Sequence, residues 1–180
     1  MSETNWYVVT GAPSSGKTTL VRELEKLGYR VVHEVARAHI AQQMAQGQTL
    51  EEVRADKRSF ENSILNAKIA IEADLSEDEV IILDRAIPDS IAYFEVAGLD
   101  TKGAIEKSPR DRYKKVFLLD RLPYQTDHVR IEDIQTAVSL DQGLEQSYRM
   151  LGYDVIRVAV MPIEDRTKFI LKEIDIPPKS

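Results

Sequence analysis

The sequence contains no cysteine. Disulfides, thiol nucleophiles and thiolate-bound metals are therefore outside its chemistry. Its three histidines, His33, His39 and His128, are scattered and show no metal-ligand spacing. Long apolar runs are missing too. Nothing approaches the about 20 residues that a membrane-spanning helix needs, so no membrane partner is expected. Met1-Ser2-Glu3-Thr4-Asn5 lacks the basic start and apolar stretch of a secretory signal, which points to the cytoplasm. An excess of positive charge is also absent. Lys and Arg number 24 against 30 Asp and Glu, a formal net charge of −6. Bulk electrostatics thus gives no support for a nucleic-acid partner. Glycine is sparse, with 8 in 180 residues, yet Gly11 and Gly16 fall close together. The remainder, 43% hydrophobic and 30% charged, suits a globular protein, read as a single domain over 1–180.

Trp6-Tyr7-Val8-Val9-Thr10 reads as a buried strand running directly into Gly11. Thr18 to Leu27 reads as a helix with Leu20, Val21, Leu24 and Leu27 on one face, stopped by Gly28. Tyr29 to His33 is a second strand. Strand, tight loop, helix and strand make a βαβ unit, which requires a parallel sheet. Val35 to Gln46 is helical. Thr49 has capping-box spacing to Glu52. Lys57 to Leu75 follows, with Phe60, Ile64, Ala67 and Ile71 as its apolar stripe. Val80 to Leu83 and Val116 to Leu119 are continuous apolar runs, each ending in aspartate, as in strands buried on both faces. A helix is expected over 131–151, carrying Ile134, Val138, Leu144, Tyr148 and Leu151, then a strand over 154–160 and a closing helix over 163–174. Segments 85–114 and 120–133 are polar and less regular, apart from a short helix over Ser90 to Val96.

Gly11-Ala12-Pro13-Ser14-Ser15-Gly16-Lys17-Thr18 fits the phosphate-loop pattern without exception. Backbone amides converge on a compact polyanion only if the chain curls tightly around it, and glycine permits that. The following helix adds its positive end. Lys17 supplies a cation for the β- and γ-phosphates, and the Thr18 hydroxyl is the expected magnesium ligand, with Thr19 completing the nucleotide-binding run. The expected ligand is Mg-ATP, with GTP as the other purine triphosphate.

Ligands of open α/β sheets bind at the carboxyl ends of strands. Asp84 sits there as a metal-supporting acid, or as a charge that merely ends the strand. Glu34 is a candidate to accept a proton from a substrate hydroxyl or to hold it in line; an N-terminal helix charge is the competing role. Arg37, about one turn on, is a candidate for an anionic group or a solvated residue. Arg85 is placed for substrate or phosphate contact. Asp89 is a substrate candidate for which helix capping competes. Arg130, with Asp127 to orient it, belongs to a lid over 121–133 that would bring positive charge to the transferring group. Asp120 is assigned no functional role.

These motifs resemble the NadR/TTD-type AAA domain family, in the nucleoside and nucleotide kinase branch. The resemblance covers nearly the whole chain. It rests on Gly11–Thr18, Glu34-Val35-Ala36-Arg37, Asp84-Arg85 with Asp89-Ser90 and Tyr93, and Tyr124-Gln125-Thr126-Asp127-His128-Val129-Arg130. That last stretch is similar to an aromatic-x-x-D-G-x-R lid pattern, with His128 replacing the glycine. The resemblance implies an α/β, three-layer P-loop NTPase fold with a five-stranded parallel sheet ordered 2-3-1-4-5. It implies ATP or GTP binding and a loop near Val160-Met161-Pro162 packing near the base. It leaves open a small-molecule kinase, with an unknown acceptor, and a nucleotide-dependent switch acting through a protein partner.

Overall fold

The structure, a computed structural model, describes residues 4–123 and 131–174. Five strands, β1 (Trp6–Thr10), β2 (Arg30–Val32), β3 (Ile81–Asp84), β4 (Lys115–Leu119) and β5 (Val155–Val158), form one parallel sheet in the order β2-β3-β1-β4-β5. Eight helices lie among the described residues: α1 (Lys17–Lys26), α2 (Val35–Ala45), α3 (Leu50–Ala55), α4 (Lys57–Ala73), α5 (Asp89–Val96), α6 (Lys102–Lys107), α7 (Ile131–Met150) and α8 (Ile163–Glu173).

Strand alternation divides the core in two. Trp6, Val8, Ile81, Leu83, Val116 and Leu118 point towards α4, α5 and α7. Tyr7, Val9, Ile82, Phe117 and Leu119 point the other way, towards α1 and α8. Each fully buried side chain of this kind contributes about 1.5–3 kcal/mol. Helices on both faces are what a parallel sheet with apolar residues on each side demands. The register places Val9 opposite Asp84 and Thr10 opposite Leu118, so three strands end level and deliver their last residues to one edge.

The expected sheet order holds, and so does the Thr49 capping box. Two expectations need correction. The buried side of α4 is Ile64, Leu65, Lys68 and Glu72, whereas Ile71 of the expected stripe is 36% exposed. Polar partners make this possible. Glu72 accepts from Tyr113 Oη at 2.9 and 3.0 Å, from Arg112 at 3.0 Å and from the Ile87 amide at 3.2 Å. Segment 85–114, read as irregular beyond Val96, contains α6 over Ala104, a fully buried residue. Among the described residues no helix is long and apolar enough to cross a membrane.

Candidate active site

The loop from Gly11 to Gly16 leaves the sheet where side chains do not fit. A Cβ on Gly11 would stand 2.7 Å from Ser15 Oγ and 3.1 Å from the Leu119 carbonyl oxygen. Gly16 takes a φ of 80° as it opens α1, a region that costs a non-glycine residue free energy. The Ser14 carbonyl accepts the Leu122 amide at 2.9 Å, which ties the loop to the segment after β4. No acid occupies the first turn of α1, so the positive end of that helix is not offset locally.

Lys17 is 5% exposed, and its ammonium contacts the Asp84 carboxylate directly and Glu34 Oε2 at 3.3 Å. Three residues from three separate elements thus meet at the head of the loop. Burial alone would raise the Glu34 carboxyl, but Arg85, Lys17 and Arg37 more than offset it and hold it below its ordinary value. Glu34 is therefore an anion at neutral pH. Thr18, half-buried, sits in the same helical turn as Lys17; Thr19 is exposed.

Arg85 follows Asp84 with a φ of 69°. This left-handed turn re-aims the chain at the strand end, a strained geometry of the kind that collects at functional sites. Its Nε stands 3.6 Å from Glu34 Oε1, its Nη1 3.3 Å from Asp89 Oδ1, and its guanidinium 5.2 Å from the centroid of the Tyr93 ring. Asp89, expected as a substrate residue with helix capping as the competing role, lies inside the protein. It is fully buried and accepts from Thr10 Oγ1, from Tyr148 Oη and from the Ala86 amide at 3.0 Å, besides its pair with Arg85. Its helix is preceded by Pro88, with no side-chain cap bond. Burial would raise the Asp89 carboxyl, yet Lys68 and Arg85 bring it below its ordinary value.

A cavity of about 760 Å³ opens beside this group, lined among others by Pro13, Glu34, Arg37, Arg85 and Tyr93. Phosphate loop, carboxylate, arginine and cavity are contiguous, as transfer to a second substrate requires. Asp120 lies elsewhere, paired with Arg157 at 3.0 Å. Tyr124 to Arg130, which include the lid residues Asp127, His128 and Arg130, lie outside the described residues.

One supporting residue escapes sequence reasoning. Arg166, on α8 and 2% exposed, donates to three backbone carbonyls: Ser15, Ala159 at 2.9 Å and Asp120 at 3.0 Å. It ties the phosphate loop to the ends of β4 and β5. Nothing local distinguishes it from any other helical arginine, because its partners are backbone atoms and two of them, on Ser15 and Asp120, are distant in sequence.

A family profile described as an AAA domain matches residues 6–166. Among solved structures, thymidylate kinase from Ehrlichia chaffeensis superposes with a TM-score of 0.69 at 15% identity, over 97% of this chain and 100% of that one. Deoxyadenosine kinase from M. mycoides gives 0.62 at 17% identity, over 94% and 98% respectively. A NadR protein in complex with NR gives 0.64 at 16%, over 99% of this chain but 53% of that one. A search of curated sequences gives no significant match. At these identities the structural likeness establishes the fold.

Proposed function

The chain belongs to this AAA domain family, and from that premise we propose that it is a P-loop phosphotransferase that moves the γ-phosphoryl group of Mg-ATP to a small nucleoside-like acceptor. The observation that carries this reading is the meeting of Lys17 with Asp84 and Glu34, the last of which lines the cavity.

Lys17 leaves the two carboxylates when nucleotide arrives and pairs with the β- and γ-phosphates. Magnesium usually keeps water and takes one or two protein oxygens besides the phosphates. The Thr18 hydroxyl and the Asp84 carboxylate fit that donor set, and the ion would neutralise charge on the transferring group. No larger cluster of ligating side chains exists among the described residues, and none is required. Glu34 accepts the proton of the acceptor hydroxyl while the hydroxyl oxygen bonds to the γ-phosphorus and ADP departs. Its depressed basicity is tolerable because positioning dominates a loose transfer. Arg85 fixes Glu34, and Asp89 fixes Arg85. Arg130 is proposed to close over the phosphoryl group. A nucleotide switch acting through a protein partner would need no acceptor cavity, and the cavity beside Glu34 favours transfer.

The test is incubation with γ-labelled ATP and a panel of nucleosides, nucleotides and vitamin-like alcohols. A labelled acceptor is expected; ATP hydrolysis alone across the whole panel would overturn transfer. Lys17→Ala should weaken Mg-ATP binding by roughly a hundredfold or more, since a charge-assisted clamp is lost. It also removes the ammonium paired with the buried Asp84, leaving Arg85 as the nearby cation, so a loss of about 3 kcal/mol in unfolding free energy is expected. Adding Asp84→Asn should recover stability without recovering binding.

A further inference from the structure

Glu61, Ile64 and Lys68 follow one another at helical spacing on α4, and all three line the cavity beside Glu34 and Arg85. Lys68 is 4% exposed. Among the described residues its ammonium makes one hydrogen bond, to Ser90 Oγ at 3.2 Å. Lysine carries three donors, so two remain open. A buried ammonium is costly unless it is fully hydrogen-bonded, and burial pushes the Lys68 amine below its ordinary value against the pull of Asp89, Glu72 and Glu61. Methionine would fill a similar volume without that cost. The lysine is thus poorly explained by packing and well explained by a ligand.

The neighbours narrow the ligand. Phe60, Ile64 and Tyr93 give the cavity apolar and aromatic lining suited to a ring. Three acids, Asp89, Glu72 and Glu61, already surround Lys68, with Arg85 as a second cation. A further full negative charge would meet those acids, whereas a neutral carbonyl oxygen would not. We propose that Lys68, steadied by Ser90, is the specificity residue of the acceptor cavity and receives an oxo oxygen on a heterocyclic ring. The acceptor class is then a nucleoside whose base carries an oxo group where adenosine and cytidine carry an amino group. This assignment rests on the phosphotransferase reading of the same cavity.

Two pairs of probes exchange the oxo group for an amino group, the adjacent ring nitrogen changing with it from N–H donor to acceptor: inosine against adenosine, and uridine against cytidine. Their binding is measured calorimetrically to the full chain, saturated with magnesium and a non-hydrolysable ATP analogue. In at least one pair the oxo member should bind about tenfold tighter, the worth of a hydrogen bond to a charged donor. Lys68→Met should erase that preference while leaving affinity for the ATP analogue unchanged. If Lys68→Met melts below the parent chain, Ser90→Ala carries the test, with the preference reduced about threefold. Equal binding within both pairs, a preference that survives both variants, or no nucleoside binding by protein that still binds the analogue would each overturn the assignment. Nucleosides bound with the expected preference but never labelled from ATP would instead overturn transfer and leave Lys68 in its role.

Discussion

Two buried arginines flank the phosphate loop, and they are held in opposite ways. Arg85, on the β3 side, is met by Glu34, Asp89 and the Tyr93 ring. Arg166, on the β5 side, donates its hydrogen bonds to the carbonyls of Ser15, Asp120 and Ala159, while the Asp120 carboxylate acts on it through charge alone. Carboxylates cancel a guanidinium's charge, so Arg85 acts chiefly by orienting the groups it grips. Carbonyls carry no net charge, so Arg166 acts chiefly by fixing the loop's shape, with the Asp120 carboxylate as a nearby counter-charge. Under the phosphotransferase reading, we propose that the β3 flank handles the acceptor and the β5 flank the nucleotide.

The sharpest way to break this division is Arg85→Gln. Transfer to the acceptor should fall by about a thousandfold, the scale of losing one preorganised polar contact at a reacting centre. Mg-ATP affinity, read by calorimetry, should stay within a few-fold. A matching collapse of nucleotide affinity would erase the distinction between the flanks. Arg166→Met is the mirror experiment with a smaller expected effect. Losing its carbonyl bonds should weaken Mg-ATP binding about tenfold and leave the acceptor KM unchanged.

Acidity offers the mildest discrimination. Glu34 has a folded value below its ordinary 4.5, so its ionised form contributes stability that is fully present above that value. The contribution is lost as pH falls through the lower folded value. Urea unfolding of the parent chain and of Glu34→Gln should therefore show a stability gap that is constant from neutral pH down to about 4.5 and narrows under more acidic conditions. The stability difference caused by Arg166→Met should not track the Glu34 titration, because the groups Arg166 donates to are carbonyls, which do not ionise. A gap that widens with acid would assign Glu34 the opposite electrostatic role.

Much of the fold and of the β3 flank is readable in the residues themselves. Gly11 to Thr18 announces its loop because the constraint is local: a strand, a turn that excludes side chains, and a helix. Asp84 and Glu34 were legible as strand-end carboxylates because a parallel sheet gathers its carboxyl ends at one edge. What stayed hidden involves long-range burial. Asp89 looks like an exposed helix-starting acid until Thr10 and Tyr148 are seen to close over it. Lys68 and Glu72 sit on a helix whose apolar residues suggested another face, since hydrophobic periodicity assigns charged residues to solvent. Arg166 gave no signal at all.

The triple grip of Arg166 also orders events in time. A chain is made from its amino end, and its parts acquire structure as they emerge from the ribosome. The phosphate loop is made long before the guanidinium that locks it, which follows Ser15 by 151 residues. Nascent protein should accordingly hold nucleotide less tightly until α8 has emerged and docked, so that ligand capture reports on assembly of the sheet with its last helix.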